Sequence, residues 1–358
     1  MSEKIRVGVL CGGVSCEHEV SLVSAQNVIG SLDPAKYEPV PIFIDKTGHW
    51  HHVATEALLA HSAVHLLTGA RTMCVPVSTK APVTLPESKI DVIFPVLHGP
   101  FGEDGTVQGF LKLARVPFVG ADVCGSAVGM DKDIQKRILR DAGIPVAKFR
   151  TLYAAHRHRV DVQGLIDQMG LPLFVKPANL GSSVGISKAK TLSELVEAID
   201  KAFEYDRKIL VEECVVGREI ECAVLGNDNP IASVPGEVIT SYEFYDFEAK
   251  YLDDKLKLEI PASLTASQAH QVQELAICAF EVLSCAGMAR VDFFLRDDGK
   301  LLVNEINTIP GFTNSSMYPK LWQASGISYM ELIDRLIQLA LERSRTDSSL
   351  KTAANHTK

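Results

Sequence analysis

Arg290-Val-Asp-Phe-Phe-Leu-Arg-Asp-Asp-Gly-Lys-Leu-Leu-Val-Asn-Glu-Ile-Asn-Thr308 is the stretch whose reading decides the rest of the chain. Two runs rich in Val, Ile, Leu and Phe flank Asp298-Gly299, a pair that favours a two-residue type I′ turn between antiparallel strands. With that turn, Asp292 faces Glu305 and Arg290 faces Asn307 across the hairpin. Side chains alternate between the faces of a strand, so all four share one face. Two carboxylates set opposite each other repel unless a cation lies between them. With Asn307 they make an all-oxygen cluster suited to Mg²⁺ held between protein and phosphates. The plainer alternative is an exposed hairpin with its charges outward. Against it stands the next segment, Thr308-Ile-Pro-Gly-Phe-Thr-Asn-Ser-Ser-Met-Tyr-Pro319, which leaves the strand through Pro310-Gly311 into small hydroxyl and amide residues. Such a loop presents N–H and O–H donors to an anion.

The 358 residues exceed one typical core and suffice for two or three domains. A net charge of −8 argues against a nucleic-acid partner bound through broad phosphate contact. No apolar run approaches the ~18 residues of a membrane span, so membrane insertion is not expected. The start, Met1-Ser-Glu-Lys, leads into a short apolar strand rather than a signal peptide. None of the eight cysteines forms a CxxC pair and several lie in apolar runs, which reads as reduced thiols in a cytoplasmic protein. His49, His51, His52, His156 and His158 lack further ligands at metal spacing and are read as solvated surface rather than a zinc site.

Residues 4–10 read as a buried parallel strand, followed by Gly12-Gly13 and a helix carrying Val20, Leu22, Val23, Val28 and Ile29. Strands follow near 40–44 and 90–96, the latter ending in His98-Gly-Pro-Phe-Gly-Glu-Asp-Gly105, and a helix begins after Asp104. Repeated strand–turn–helix units predict a doubly wound, Rossmann-like α/β domain over 1–123, with ligands outside the C-terminal strand ends. The small, glycine-bearing 121–129 places a boundary near 124. A second domain, 124–217, carries a helix from Asp131, a strand at 173–177, a helix at 192–203 and a strand at 208–213. A third, 218–343, carries an aromatic stretch at 236–253, a helix at 266–285, the hairpin and a helix at 328–343. The polar tail 344–358 is expected to be disordered.

Several segments admit two readings. Glu17, in Gly12-Gly-Val-Ser-Cys-Glu17, suits a first helical turn through the helix dipole, and equally a substrate ammonium. The sequence there is not GxGxxG. Asn179-Leu-Gly-Ser-Ser-Val-Gly185, with Lys176 before it, is either a flexible surface loop or a phosphate cradle, though not a Walker A sequence. Lys132 is a phosphate ligand or a solvated helix residue. Tyr242-Glu-Phe-Tyr-Asp-Phe-Glu-Ala-Lys-Tyr251 is a surface strand or a lid that excludes water.

Together these pieces resemble the ATP-grasp superfamily and, within it, the D-alanine–D-alanine ligases, over roughly residues 4–343. The matching motifs come in family order: Gly12-Gly-Val-Ser-Cys-Glu-His-Glu-Val-Ser21, His98-Gly-Pro-Phe-Gly-Glu-Asp-Gly105, Met130-Asp-Lys132, Val175-Lys-Pro177, Gly181-Ser-Ser-Val-Gly185, Tyr245-Asp-Phe-Glu-Ala-Lys-Tyr251, Arg290-Val-Asp292 and Asn304-Glu-Ile-Asn-Thr308 with Pro310-Gly311. Their joint order is highly specific. The resemblance implies that a two-lobed ATP-grasp fold follows the first domain, with ATP between the lobes. It implies two Mg²⁺ ions, replaceable by Mn²⁺, on Asp292, Glu305 and Asn307. Lys132, Lys176 and Ser183 would contact ATP phosphates, Glu212, Glu213 and Val215 the adenine, and Glu219 the ribose. The implied activity joins two D-alanines through an acyl phosphate, for peptidoglycan. Glu17 would grip the first ammonium, with His98 near that substrate's carboxylate. Arg290 and the Gly311 N–H would stabilise the tetrahedral oxyanion, Lys250 and Ser316 would bind the second carboxylate, and Tyr251 and Ser182 would link to Glu17. Tyr251 preceded by Lys250 looks like the dipeptide-forming type. A homodimer is also what the resemblance suggests. Competing readings are another carboxylate–amine ligase, a non-catalytic nucleotide binder and, more weakly, a dinucleotide oxidoreductase.

Overall fold

The structure, a computed structural model, describes residues 3–60, 71–73, 90–182, 184–239 and 257–351. Among these the strands form three sheets. The first contains β1 (Ile5–Gly12), β2 (Tyr37–Ile44), β3 (Trp50–His52), β4 (Arg71–Met73) and β5 (Val92–Pro95), in the order β4-β3-β2-β1-β5. β1 runs parallel to β2 and β5, while β3 and β4 extend the edge in antiparallel fashion. Helices cover both faces, as a doubly wound domain requires. α1 (His18–Gly30) packs Leu22, Ala25 and Val28 under Val7, Val9 and Phe94, and α3 (Thr106–Leu113) packs Val107 and Leu111 under Leu10 and Ile93. α2 (Thr55–Leu59) lies between them in the chain. β3 and the edge strand β4 have only three residues each, too few for alternation to show in the sequence. One consequence is a correction: His51, read as solvated, is buried on β3 with Nε2 2.9 Å from Asp45 Oδ2.

The small residues 121–129, read as a break, form helix α4 (Val123–Met130), capped by the Asp122 carboxylate accepting from the Val123 N–H. Its glycines serve close approach. A Cβ on Gly125 would stand 2.2 Å from the Ser284 carbonyl oxygen, and one on Gly129 2.6 Å from Thr308 Cγ2. α5 (Lys132–Asp141) follows, its first turn capped by Asp131. The second sheet has the order β6-β9-β7-β8, from β6 (Phe149–Tyr153), β7 (Leu173–Pro177), β8 (Ser187–Ala189) and β9 (Lys208–Glu213). α6 (Val162–Met169) and α7 (Leu192–Phe203) bury Leu165, Leu195 and Ile199 against Leu173, Val175, Ile209 and Val211.

The third sheet runs β13-β12-β10-β14-β15, with β11 beside β10. Its strands are β10 (Arg218–Gly226), β11 (Ile231–Ala232), β12 (Gly236–Ile239), β13 (Lys257–Glu259), β14 (Gly287–Leu295) and β15 (Leu301–Asn307). α8 (Ala266–Val282), opened by a Thr265/Gln268 capping box, packs Val272, Ala276 and Phe280 on one face against Ile220, Cys222, Val291, Val303 and Ile306. α9 (Met317–Ala324) and α10 (Tyr329–Ser349) return to the first sheet, where Arg343 donates to the carbonyls of Gly120 at 2.5 Å and Phe118 at 2.8 Å. The expected disorder from 344 is corrected, because α10 runs through Ser349. Extending a helix whose preceding turns are buried costs far less than nucleating one. Residues 352–358 of that tail lie outside the described residues.

The hairpin closes differently from the two-residue turn expected. Arg296 N–H donates to Lys300 O at 3.0 Å, leaving a three-residue loop in which Gly299 has φ +81° and Asp298 is not left-handed. That is the geometry of a loop whose glycine takes the left-handed position. Near the loop, Phe293 therefore pairs with Val303. An irregularity at Asn304 then supplies an extra residue on β15, so that Asp292 still pairs with Glu305 and Arg290 with Asn307.

Candidate active site

That bulge decides what Glu305 faces. Leu301 and Val303 point into the helix-covered core, and uninterrupted alternation would carry Glu305 and Asn307 into the same core. With Asn304 inserted, Ile306 takes the core side, and Glu305 and Asn307 turn to the opposite face. There they join Arg290 and Asp292 from β14 and Glu219 and Glu221 from β10. Across the gap stand Phe174 and Lys176 of β7 and Glu212 of β9, on the face of the second sheet that its helices leave uncovered. The space between is a cavity of about 620 Å³. It adjoins a smaller one of about 170 Å³. The two share Lys132, Ser182, Glu221, Arg290 and Glu305 in their walls.

Arg290 lies between two carboxylates. Its Nε and a terminal nitrogen donate to the two oxygens of Asp292 at 2.7 Å each, and Nε is 2.9 Å from Glu221 Oε2. Burial would lower the guanidinium pKa, but Asp292 and then Glu221 raise it well above its ordinary value. The carboxylates facing each other across the hairpin are thus not without a cation, contrary to the expectation from the hairpin pairing alone. Glu221 carried no signal among the motifs, although Glu219-Ile-Glu221 alternates as a strand with one acidic face would. Lys132, at the start of α5, donates to Leu180 O at 2.7 Å and lies 3.5 Å from Glu305 Oε2. It is a buried residue, not a solvated one.

Glu212 is buried between two lysines. Its Oε2 is 2.8 Å from Lys176 Nζ, and its Oε1 is 3.2 Å from Lys136 Nζ, a lysine that no sequence motif marks. Burial alone would raise the Glu212 pKa, but Lys136 and Lys176 pull it down to about 2. For Lys176, burial pulls the pKa down, but Glu212 overrides this and raises it. The Glu212 carboxylate therefore faces lysines, and that of Glu213 accepts from the Lys148 N–H at 2.8 Å.

In the smaller cavity, Glu17 stands at the N-terminus of α1 and accepts a hydrogen bond from the Ser182 hydroxyl. Ser182 has φ +50°, an uncommon conformation for a non-glycine residue. His98 and Glu103, from the loop after β5, line the same cavity. Glu103 accepts from the Gly99 N–H at 2.6 Å, while burial, and next the nearby Glu17 carboxylate, push its pKa up to about 8. Opposite them, Gly311 begins a loop fixed to α1: Phe312 N–H donates to Ser24 Oγ at 3.2 Å, and Asn27 Nδ2 and Tyr329 OH donate to Phe312 O at 3.0 and 2.7 Å. A Cβ on Gly311 would stand 2.7 Å from Ser316 Oγ.

The structure divides the expected residues between the two cavities. Glu17, His98, Asn307, Gly311 and Ser316 line the smaller, and Lys176, Glu212, Glu213, Val215, Glu219 and Asp292 the larger. Lys132, Ser182, Arg290 and Glu305 belong to both. Ser183, Lys250 and Tyr251, with the whole of the proposed lid 242–251, lie outside the described residues. Among the described residues no three His, Cys, Asp or Glu side chains converge as a metal-binding group. The oxygen set here is two carboxylates and an amide.

Residues 6–121 match the family model for the D-ala D-ala ligase N-terminus, and residues 138–338 the model for the D-ala D-ala ligase C-terminus. The chain belongs to the D-ala D-ala ligase family. It is 49% identical to D-alanine–D-alanine ligase A of Escherichia coli K12, over 98% of this chain and 99% of that one. It is also 49% identical to D-alanine–D-alanine ligase A of Chromobacterium violaceum, over 99% of this chain and 100% of the relative. Among solved structures, the D-alanine–D-alanine ligase from Coxiella burnetii superposes with a TM-score of 0.86 at 44% identity, over 97% of each chain. The VanG D-Ala:D-Ser ligase from Enterococcus faecalis does so at 0.84 and 36% identity, over 94% of this chain and 100% of that one.

Proposed function

We propose that this chain joins two D-alanines to give D-alanyl-D-alanine, converting ATP to ADP and phosphate, as a step of peptidoglycan synthesis. The observation that carries the reading is the pair of cavities meeting at Lys132, Arg290 and Glu305. The larger has the size of a ligand pocket for a nucleotide, the smaller that of an amino-acid site. The first D-alanine places its ammonium on Glu17 and its carboxylate near His98, at the junction. That carboxylate attacks the γ-phosphate of ATP, held by Lys132 and Lys176, and gives an acyl phosphate and ADP. Such a transfer needs positioning and neutralised charge more than covalent help. The amine of the second D-alanine, its carboxylate at Ser316 and Lys250, then attacks the acyl carbon. Arg290 and the Gly311 N–H receive the oxyanion, and phosphate leaves.

Asp292, Glu305 and Asn307 fit a hard divalent cation, being an all-oxygen set on one sheet face where the two cavities meet. Two Mg²⁺ ions, or Mn²⁺, would neutralise phosphate charge there. Ser183 and Tyr251 enter the proposal, as Lys250 does, on the family resemblance, as do a homodimer and a cytoplasmic setting. No helix among the described residues is long and apolar enough to cross a membrane. The test is phosphate release from ATP and Mg²⁺ with D-alanine, with L-alanine, and with D-alanine plus D-serine. Release with D-alanine alone, yielding the dipeptide by mass, is expected. Release that needs D-serine, or occurs with L-alanine, contradicts the substrate assignment.

A further inference from the structure

Lys136 lies in the wall between the two lobes that enclose the larger cavity, yet its ammonium is buried away from it, with 1% of the side chain exposed. It sits one turn after Lys132 on the same face of α5. Its Nζ donates to Asn304 O at 2.9 Å and lies 3.2 Å from Glu212 Oε1. Each of these partners touches the site in turn. Glu212 holds Lys176 through its other oxygen, and the Asn304 side-chain oxygen is 3.5 Å from Lys176 Nζ. Asn304 is the inserted residue that turns Glu305 to the cavity. The neighbouring Gln135 fastens the same strand, accepting from the Ile306 N–H at 3.3 Å and donating to Gly129 O at 2.9 Å.

Burying an ammonium costs several kcal/mol per ion before its partners compensate, and an apolar residue of similar size in such a place is often the more stable choice. A lysine here is therefore not explained by stability, and its partners say what it does. We infer that Lys136 is a positioning residue for nucleotide binding: its ammonium fixes the Glu212 carboxylate and the Asn304 bulge, and through them Lys176 and Glu305. Two cations share the Glu212 charge. Without Lys136 that charge falls on Lys176 alone, drawing its ammonium toward Glu212 and away from a phosphate. The bulge would lose its hydrogen bond at the same time, leaving a buried carbonyl unpaired.

The inference rests on the reading that this cavity takes ATP, and the experiment separates the two. ATP dissociation constants are measured by calorimetry in the presence of Mg²⁺ for the full-length protein, K136M, E212Q and the E212Q/K136M double variant. KM for D-alanine is measured alongside. K136M is expected to weaken ATP binding about tenfold or more, the scale on which residues that orient ligands act. KM for D-alanine should stay within about twofold, since a residue acting on ATP binding alone leaves it unmoved. Because Lys136 acts partly through Glu212, adding K136M to E212Q should cost clearly less ATP affinity than K136M costs in the wild type, the remainder being the share carried by the Asn304 bulge. The double variant also removes both charges of the pair, so it keeps the test available if K136M alone does not fold. ATP binding unchanged in K136M, or a full additional loss in the double variant over E212Q, overturns the inference. Wild-type protein that binds ATP but forms no dipeptide would overturn the proposed reaction and leave this inference standing, whereas wild-type protein that binds no ATP would overturn both.

Discussion

Glu305 is the residue on which most of the chemistry converges. It faces Asp292 across the hairpin, lies 3.5 Å from Lys132, and lines both cavities. Glu305→Gln keeps its shape and removes its charge. Turnover should fall about a hundredfold or more, the cost of losing an ion-holding group. The melting temperature should stay near that of the wild type, because the side chain is partly exposed and no core contact is lost. Near-normal turnover at saturating Mg²⁺ would remove Glu305 from the site. Glu103 gives a second prediction. Its pKa is about 8 in the fold against an ordinary 4.5, so folding takes up a proton between those values. Stability then falls as pH rises through that window, with a slope of at most about 1.4 kcal/mol per pH unit, and levels off above it. Glu103→Gln, which imitates the protonated acid, should flatten this dependence and be the more stable protein at pH above 8. Chemical denaturation across the range measures it, and a slope that survives the substitution contradicts the assignment.

The β14–β15 hairpin shows how an element can be read correctly for a partly wrong reason. The facing pairs were legible from Asp298-Gly299 and the flanking apolar runs. The turn, however, holds three residues rather than two, and the bulge at Asn304 makes up the difference. Nothing in the residue types marks a bulge, and the groups that bond to the strand there, Lys136 and Gln135, are distant in sequence, on α5. Deletion of Asn304 tests the element directly. Glu305 would then follow Val303 in unbroken alternation and keep its place opposite Asp292 on the cavity face, while Lys136 loses the carbonyl to which it donates. A loss of stability of about 1–3 kcal/mol is expected by denaturation, the cost of a buried donor left unpaired. Unchanged stability would mean that the bulge supplies no bond that the fold needs. Long periodic elements such as α7 and the strand β9 were readable to the residue. The three-residue β3 and β4, and the glycine-bearing α4, were not, because their place is set by neighbours rather than by local pattern.

At the scale of the molecule, the site exists only because distant segments meet. Ser182 bonds Glu17, Ser24 and Asn27 hold the Phe312 loop, and α10 locks onto the first sheet through Arg343. Sequence could name Glu17 and Ser182 through the family it resembles, but not Ser24, Asn27 or Arg343. It could not give the distances, nor the two lysines that share Glu212. The arrangement places a carboxylate, a phosphate chain and an incoming amine around one junction, and the proposed reaction stands on the acyl phosphate formed there. The direct test supplies D-alanine with heavy oxygen in its carboxylate, together with ATP and Mg²⁺, and weighs the phosphate released. An acyl-phosphate route passes one heavy oxygen to inorganic phosphate for each dipeptide formed, and that is the expected result. Unlabelled phosphate, or label carried instead into AMP, would contradict it.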